Sequence, residues 1–130
     1  MLDLEIIVFS RIKNRFSAEL IRKFPNAYFT TSDRAVAQPR FPTIYIHEMS
    51  GREMGQDLAG TEINAVLSTF QIEVFDNMSE SNVSEVMANI VNTMKSMRFD
   101  VISMPEFRND NDVYRKVARF RRVIGSADIL

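Results

Sequence analysis

This chain has no cysteine and a single histidine, His47. The first absence excludes a disulfide scaffold, a thiol nucleophile and any cysteine-ligated metal. The second leaves a conventional zinc site without its usual ligands. An excess of one charge is missing too. Sixteen Lys and Arg stand against 17 Asp and Glu, for a formal net charge of −1, so composition gives no reason to expect a dedicated nucleic-acid or membrane-surface protein. No apolar run approaches the roughly 20 residues of a membrane span. The acidic opening Met1-Leu2-Asp3-Leu4-Glu5 lacks the basic flank and longer apolar core of a secretory signal. Together these absences lead to the expectation of a soluble protein, made and used in a reducing cytoplasm. Glycine is scarce, and three of the four (Gly51, Gly55, Gly60) crowd into one stretch. They lack the Lys and the strand–helix context of a phosphate-binding loop, and no nucleophile elbow could recruit His47. Carboxylates such as Glu48 and Glu53 are present, but nothing in the pattern singles them out. The expectation is a protein that is not an enzyme and uses no cofactor or metal.

What is present is a strand, a short polar turn and an amphipathic helix, running from Asn64 to Phe99. Val66, Phe70, Ile72 and Val74 fall on one side of the strand, with Thr69, Gln71 and Glu73 between them on the other. This period of two marks a strand with one buried and one wet face. After Asp76-Asn77 the period changes, and Val83, Val86, Met87, Ile90, Met94 and Met97 draw an apolar stripe along a helix. Asn82 with Glu85 fits a capping arrangement; Ser79 and Ser81 are alternative caps.

At 130 residues the chain is read as a single domain, 1–130, large enough to bury about two thirds of its unfolded surface. It opens with a helix over Met1–Phe16, its apolar side formed by Leu2, Ile6, Phe9, Ile12 and Phe16 and its outward side by Arg11, Lys13 and Arg15. Ser17–Lys23 continues that helix or forms a second, and Pro25 ends it. Ala27–Thr31 is an edge-strand candidate. Pro42 leads a strand over Thr43–Met49. Residues 51–63, and Gly51–Gly60 above all, read as a mobile loop. Val101–Met104 reads as a short strand broken by Pro105, Val113–Ile124 as the last long strand, and 126–130 as a tail. The fold class expected is α+β: a mainly antiparallel sheet of four to five strands with two principal helices packed on it.

The strongest charge feature is the run Arg115, Lys116, Arg119, Arg121, Arg122. On a strand, Arg115, Arg119 and Arg121 share one face, and Tyr114, Ala118, Phe120 and Ile124 the other. A basic stripe of this kind binds phosphate backbone in some proteins. Here no stacking aromatic interleaves on the arginine face, and the run is read as the solvated or interface-facing side of an outer strand, where arginine also guards against edge pairing.

In the order of its parts the chain resembles the tail terminator (tail completion) proteins of long-tailed bacteriophages and phage-like particles. The matching pieces are the opening helix with Ile7-Val8-Phe9, then Phe41-Pro42-Thr43-Ile44 leading a strand. Gln71-Ile72-Glu73-Val74-Phe75, a polar turn and the Val83–Phe99 helix follow. Met104-Pro105-Glu106, Asn109-Asp110-Asn111-Asp112, Val113-Tyr114-Arg115, Arg119-Phe120 and Val123-Ile124-Gly125 complete the likeness. It departs over Phe24–Pro39 and in the Gly51–Gly60 stretch. The resemblance implies a virion structural protein, assembled in the host cytoplasm, that forms a hexameric ring at the head-proximal end of the tail tube. There it would end tube growth and join the tail to the head connector. Its partners would be itself, the tail tube protein and the head–tail connector protein, with DNA passing through the lumen unread and no membrane. A connector or tube subunit of the same particle is the alternative, and a nucleic-acid-binding adaptor is the alternative of another class. The subunit interface is expected to use Arg115, Arg119 and Arg121 against acids of the neighbouring copy, with Glu48, Glu53, Asp57, Glu62 and Glu73 as the facing candidates and Arg52 as a further interface residue.

Overall fold

The computed structural model describes residues 4–25, 27–31, 41–56, 63–107 and 113–125. Three helices are formed: α1 (Leu4–Asn14), α2 (Ala18–Lys23) and α3 (Glu80–Ser96). Five strands accompany them: β1 (Tyr28–Thr30), β2 (Thr43–Gln56), β3 (Ile63–Asp76), β4 (Asp100–Phe107) and β5 (Tyr114–Gly125). They make one sheet in the order β1-β2-β3-β5-β4. β1 pairs parallel with β2, and the other three pairings are antiparallel. The fold is therefore α+β with a mixed sheet. Its parallel pair sits at the edge, where β1 is only three residues long.

The helices lie on one face. Ile44 and Ile46 of β2, Phe70, Ile72 and Val74 of β3, and Ala118 and Phe120 of β5 are fully buried there. They pack with Val83, Val86, Met87, Ile90, Met94 and Met97 from α3 in one cluster. All six positions of the sequence-derived α3 stripe are thus buried. Ser79 is the N-cap, its Oγ accepting from the Asn82 N–H at 3.2 Å. Asp76, buried at the end of β3, accepts from the N–H groups of Met78 and Ser79 and from Asn82 Nδ2. Asn82 therefore braces the cap instead of being it. At the other end Phe99 N–H reaches the Met94 carbonyl at 3.0 Å and Arg98 N–H the Lys95 carbonyl at 2.9 Å. That is a Schellman closure, with Arg98 in the left-handed region at φ 65°.

Four expectations change. In α1 the buried residues are Val8 and Ile12, joined by Phe16 just past its end, while Ile6 is 62% exposed. Ile6 to Phe9 is an unbroken apolar run, so periodicity alone could not choose which side faces the sheet. Of the two alternatives left for Ser17–Lys23, the separate helix forms, capped by the Ser17 hydroxyl, so no change arises there. The β2–β3 ladder runs past Met49, through a register shift, to Gln56 paired with Ile63. Gly51–Gln56 is strand and not loop; residues 57–62, with Asp57 and Glu62, lie outside the described residues, as does the 126–130 tail. β4 continues through Pro105 to Phe107 with two register shifts, which an edge strand tolerates because no further ladder needs the missing N–H.

The fourth change concerns β5. It lies between β3 and β4, not at an edge, because α3 carries the chain across from β3 to β4 and leaves a gap that β5 fills. Its arginines therefore guard no edge. What they occupy is the helix-free face.

Candidate functional site

The helix-free face is laid out in rungs by the ladder. Thr43, Phe75 and Arg115 share the first. Tyr45, Glu73, Val117 and Glu106 share the second; His47, Gln71, Arg119 and Ser103 the third; Met49, Thr69, Arg121 and Asp100 the fourth. The alternation expected for β5 holds: Ala118 and Phe120 point to the core, and Arg119 and Arg121 are exposed on the other side. Lys116 and Arg122 belong to the helical side. Lys116 Nζ donates to Ser84 Oγ at 3.2 Å and lies over the Phe107 ring. Arg122 Nη1 donates to the Met97 carbonyl at 3.0 Å, closing the C-terminus of α3.

Arg115 forms an ion pair with Glu73 of its own chain. Glu73 is only 7% exposed, although it stands on the face without helices, because Tyr45 and Val117 flank it on the neighbouring strands. A carboxylate so covered needs a charged partner nearby. Arg115 supplies it, and its guanidinium also lies over the Phe75 ring, 5.5 Å from the centroid. Within the chain, then, Glu73 and Arg115 pair with each other.

Arg119 is bound more lightly. Its Nε donates to Gln71 Oε1 at 2.9 Å, which leaves both terminal amino groups unused among the described residues. Gln71, Ser103, Glu106, Arg115, Val117 and Arg119 line a polar depression of about 280 Å³. Arg121 stands directly across from Asp100. Arg52 and Glu53 lie farther along β2, opposite Leu67 and Val66. Glu48 is half-buried on β2, opposite Phe70.

Two features of this face escaped the sequence. The aromatics thought absent come from neighbouring strands: Phe75 beneath Arg115, and Tyr45, which meets His47 edge to face at 5.8 Å. The arginines are also accompanied by Glu73, Glu106 and Asp100, so the stripe is of mixed charge. Only the register brings these acids in, since Glu73 lies 42 residues from Arg115 along the chain and Asp100 and Glu106 come from the separate strand β4. Chemically such a surface offers charge-assisted hydrogen bonds of fixed direction. Among the described residues no group of three or more His, Asp or Glu could hold a metal ion. No protein-family model matches this chain, and no curated protein matches it significantly.

Proposed function

We propose that this protein is a structural subunit that assembles with copies of itself into a ring, as the resemblance to phage tail terminators implies. The observation that carries the proposal is the mismatch between the sheet and the helix covering it. β2 and β3 each have 14 residues, a length of about 46 Å, whereas the 17 residues of α3 span about 25 Å. The helix starts at the Asp76 end of β3 and finishes where Phe99 meets Phe70 edge to face, with centroids 5.6 Å apart. Beyond that point β2, β3 and β5 continue as a three-stranded arm past the end of α3. A sheet arm with no helix on either face among the described residues is a ready surface for a second copy.

A ring needs two different patches on each subunit. The arm is one; the mixed-charge face is the other. Of the arginines on that face, Arg119 and Arg121 are the ones that would meet a neighbour, with the acids Glu48, Glu53, Asp57 and Glu62 of the adjacent copy as the candidates. Contacts of this kind fix register and partner choice more than they add affinity. On this reading the ring sits at the head-proximal end of a tail tube, ends tube growth and joins the head connector. The balanced charge of the sheet face favours protein contact there over phosphate binding.

Native mass measurement tests the proposal: six times the 15.0 kDa chain mass is expected, and a monomer at all concentrations would sink it. Co-purification with a tube protein and a connector protein then distinguishes a terminator, which binds both, from a tube subunit, which also polymerises with itself.

A further inference from the structure

A second basic cluster lies on the helical side, and it is not balanced as the sheet face is. Arg15, just past the end of α1, donates through Nη1 to Ser96 Oγ at 2.9 Å, and its carbonyl accepts from Asn89 Nδ2 at 3.4 Å. These bonds hold the C-terminal end of α1 against the last turns of α3. Ser96 is flanked there by Lys95 and Arg98, and Lys13 borders the same end of α1. All four cations are exposed. Lys13, Lys95 and Arg98 have no side-chain partner among the described residues, and Arg15 has only the Ser96 hydroxyl. No acid occurs between Ile6 and Ala18 or between Val86 and Phe99. The nearest carboxylate along the chain, Asp100, opens β4 across from Arg121.

Cations in the last turn of a helix normally answer its dipole, which amounts to roughly half a negative charge at each C-terminus. Two helix ends therefore account for about one of the four positive charges. The position of Arg98 is a further sign. At φ 65° glycine would be the favoured residue, yet an arginine is held there at an energetic cost, with its side chain in solvent.

We infer that this cluster binds the phosphate backbone of nucleic acid without reading its sequence. Among the described residues the surface consists of Lys, Arg, Asn and Ser, the residue types that contact phosphate, and offers no exposed aromatic ring on which a base could stack. A protein partner fits it less well, because interface centres are apolar or aromatic and poor in lysine. With a net charge of −1 on the whole chain, long-range attraction is weak, and binding is a low-salt, short-range property. The inference does not rest on the ring.

The test is anisotropy of a labelled short DNA duplex of arbitrary sequence, titrated with the full-length protein across a salt series. The parent is expected to bind at low salt with a linear log–log salt dependence. Lys95→Glu with Arg98→Glu should weaken it at least about tenfold and lower the slope by about two, since each phosphate contact contributes about 0.9. Arg98→Gly, which suits the backbone and so keeps the fold, should weaken it several-fold even if the double variant melts early. The inference is overturned by no salt-sensitive binding by the parent, by unchanged binding in both variants, or by loss through Arg119→Glu at unchanged oligomer mass. Tighter binding of a polyglutamate peptide than of DNA at equal salt would also overturn it, in favour of an acidic protein. A parent that binds DNA in this way yet stays monomeric sinks the ring and leaves this inference standing.

Discussion

At the scale of single residues, the pair Arg115–Glu73 is an ion pair formed on the helix-free face among the described residues. Glu73 has a side-chain exposure of 9% and Arg115 of 34%, so the two substitutions are not equivalent. Arg115→Ala leaves a covered carboxylate without its cation and is expected to cost about 1–3 kcal/mol, discounted from the fully buried case because Arg115 is partly in water. Glu73→Gln removes the charge that needed compensation and should cost less. Urea denaturation of both variants checks the order; an equal or reversed cost would mean that Arg115 stabilises through Phe75 instead. Ser68 makes the opposite case. It is fully buried on the core face of β3, and its hydroxyl has no partner among the described residues. Ser68→Ala is therefore expected to be neutral or to stabilise by up to about 1 kcal/mol. A loss above that in the same titration would show that the hydroxyl is bonded after all.

At the scale of elements, α3 is secured along its length and at both ends. Ile90 is fully buried at the middle of the stripe, so Ile90→Asp places an unpaired carboxylate among Met87, Met94 and the sheet. A cost above about 4 kcal/mol is expected, visible as loss of cooperative melting; a parent-like melt would place the stripe elsewhere. Ser79→Ala removes one accepted N–H and should cost about 1 kcal/mol. The residual order of that end is then carried by Asp76, which accepts from the two N–H groups ahead of the helix. β4 shows the reverse policy. Its two register shifts and Pro105 interrupt the outer edge, which discourages further strand addition there. Ile102 and Met104, 42% and 73% exposed, lie on this broken edge.

At the scale of the whole molecule, the sheet is longer than the helix laid on it, and the face away from the helices carries charges of both signs. Both properties suit a subunit more than a free-standing domain. Arg119→Glu is expected to weaken assembly without changing the melting of the monomer, since Arg119 is exposed and its one bond is to Gln71. Native mass and melting temperature on one sample read the two effects separately. An intact hexamer in that variant would remove Arg119 from the interface. A compensating acid-to-lysine change at Glu53, Asp57 or Glu62 should restore part of the assembly at the correct site and none elsewhere.

The periodicities of this sequence determined its elements. The alternation through Phe70, Ile72 and Val74, the stripe from Val83 to Met97, and the two faces of β5 are local consequences of backbone geometry, and a chain pattern records them directly. The same reading erred where choice depended on neighbours. Which side of α1 is buried depends on the sheet it meets, because that helix is apolar on more than one side. Whether glycines at 51 and 55 make a loop or a strand depends on the partner ladder, which β3 supplies through Ala65, opposite Met54, and Ile63, opposite Gln56. Strand order was beyond reach for the same reason. β5 lies between β3 and β4 because of the α3 crossover, and only that placement brings Glu73, Glu106 and Asp100 beside the arginines. A basic run in the chain thus became a mixed-charge face, while the basic surface left uncompensated was assembled from the ends of two helices some 80 residues apart. Charge in a sequence is a property of position along the chain; charge on a surface is set by which distant residues the packing makes neighbours.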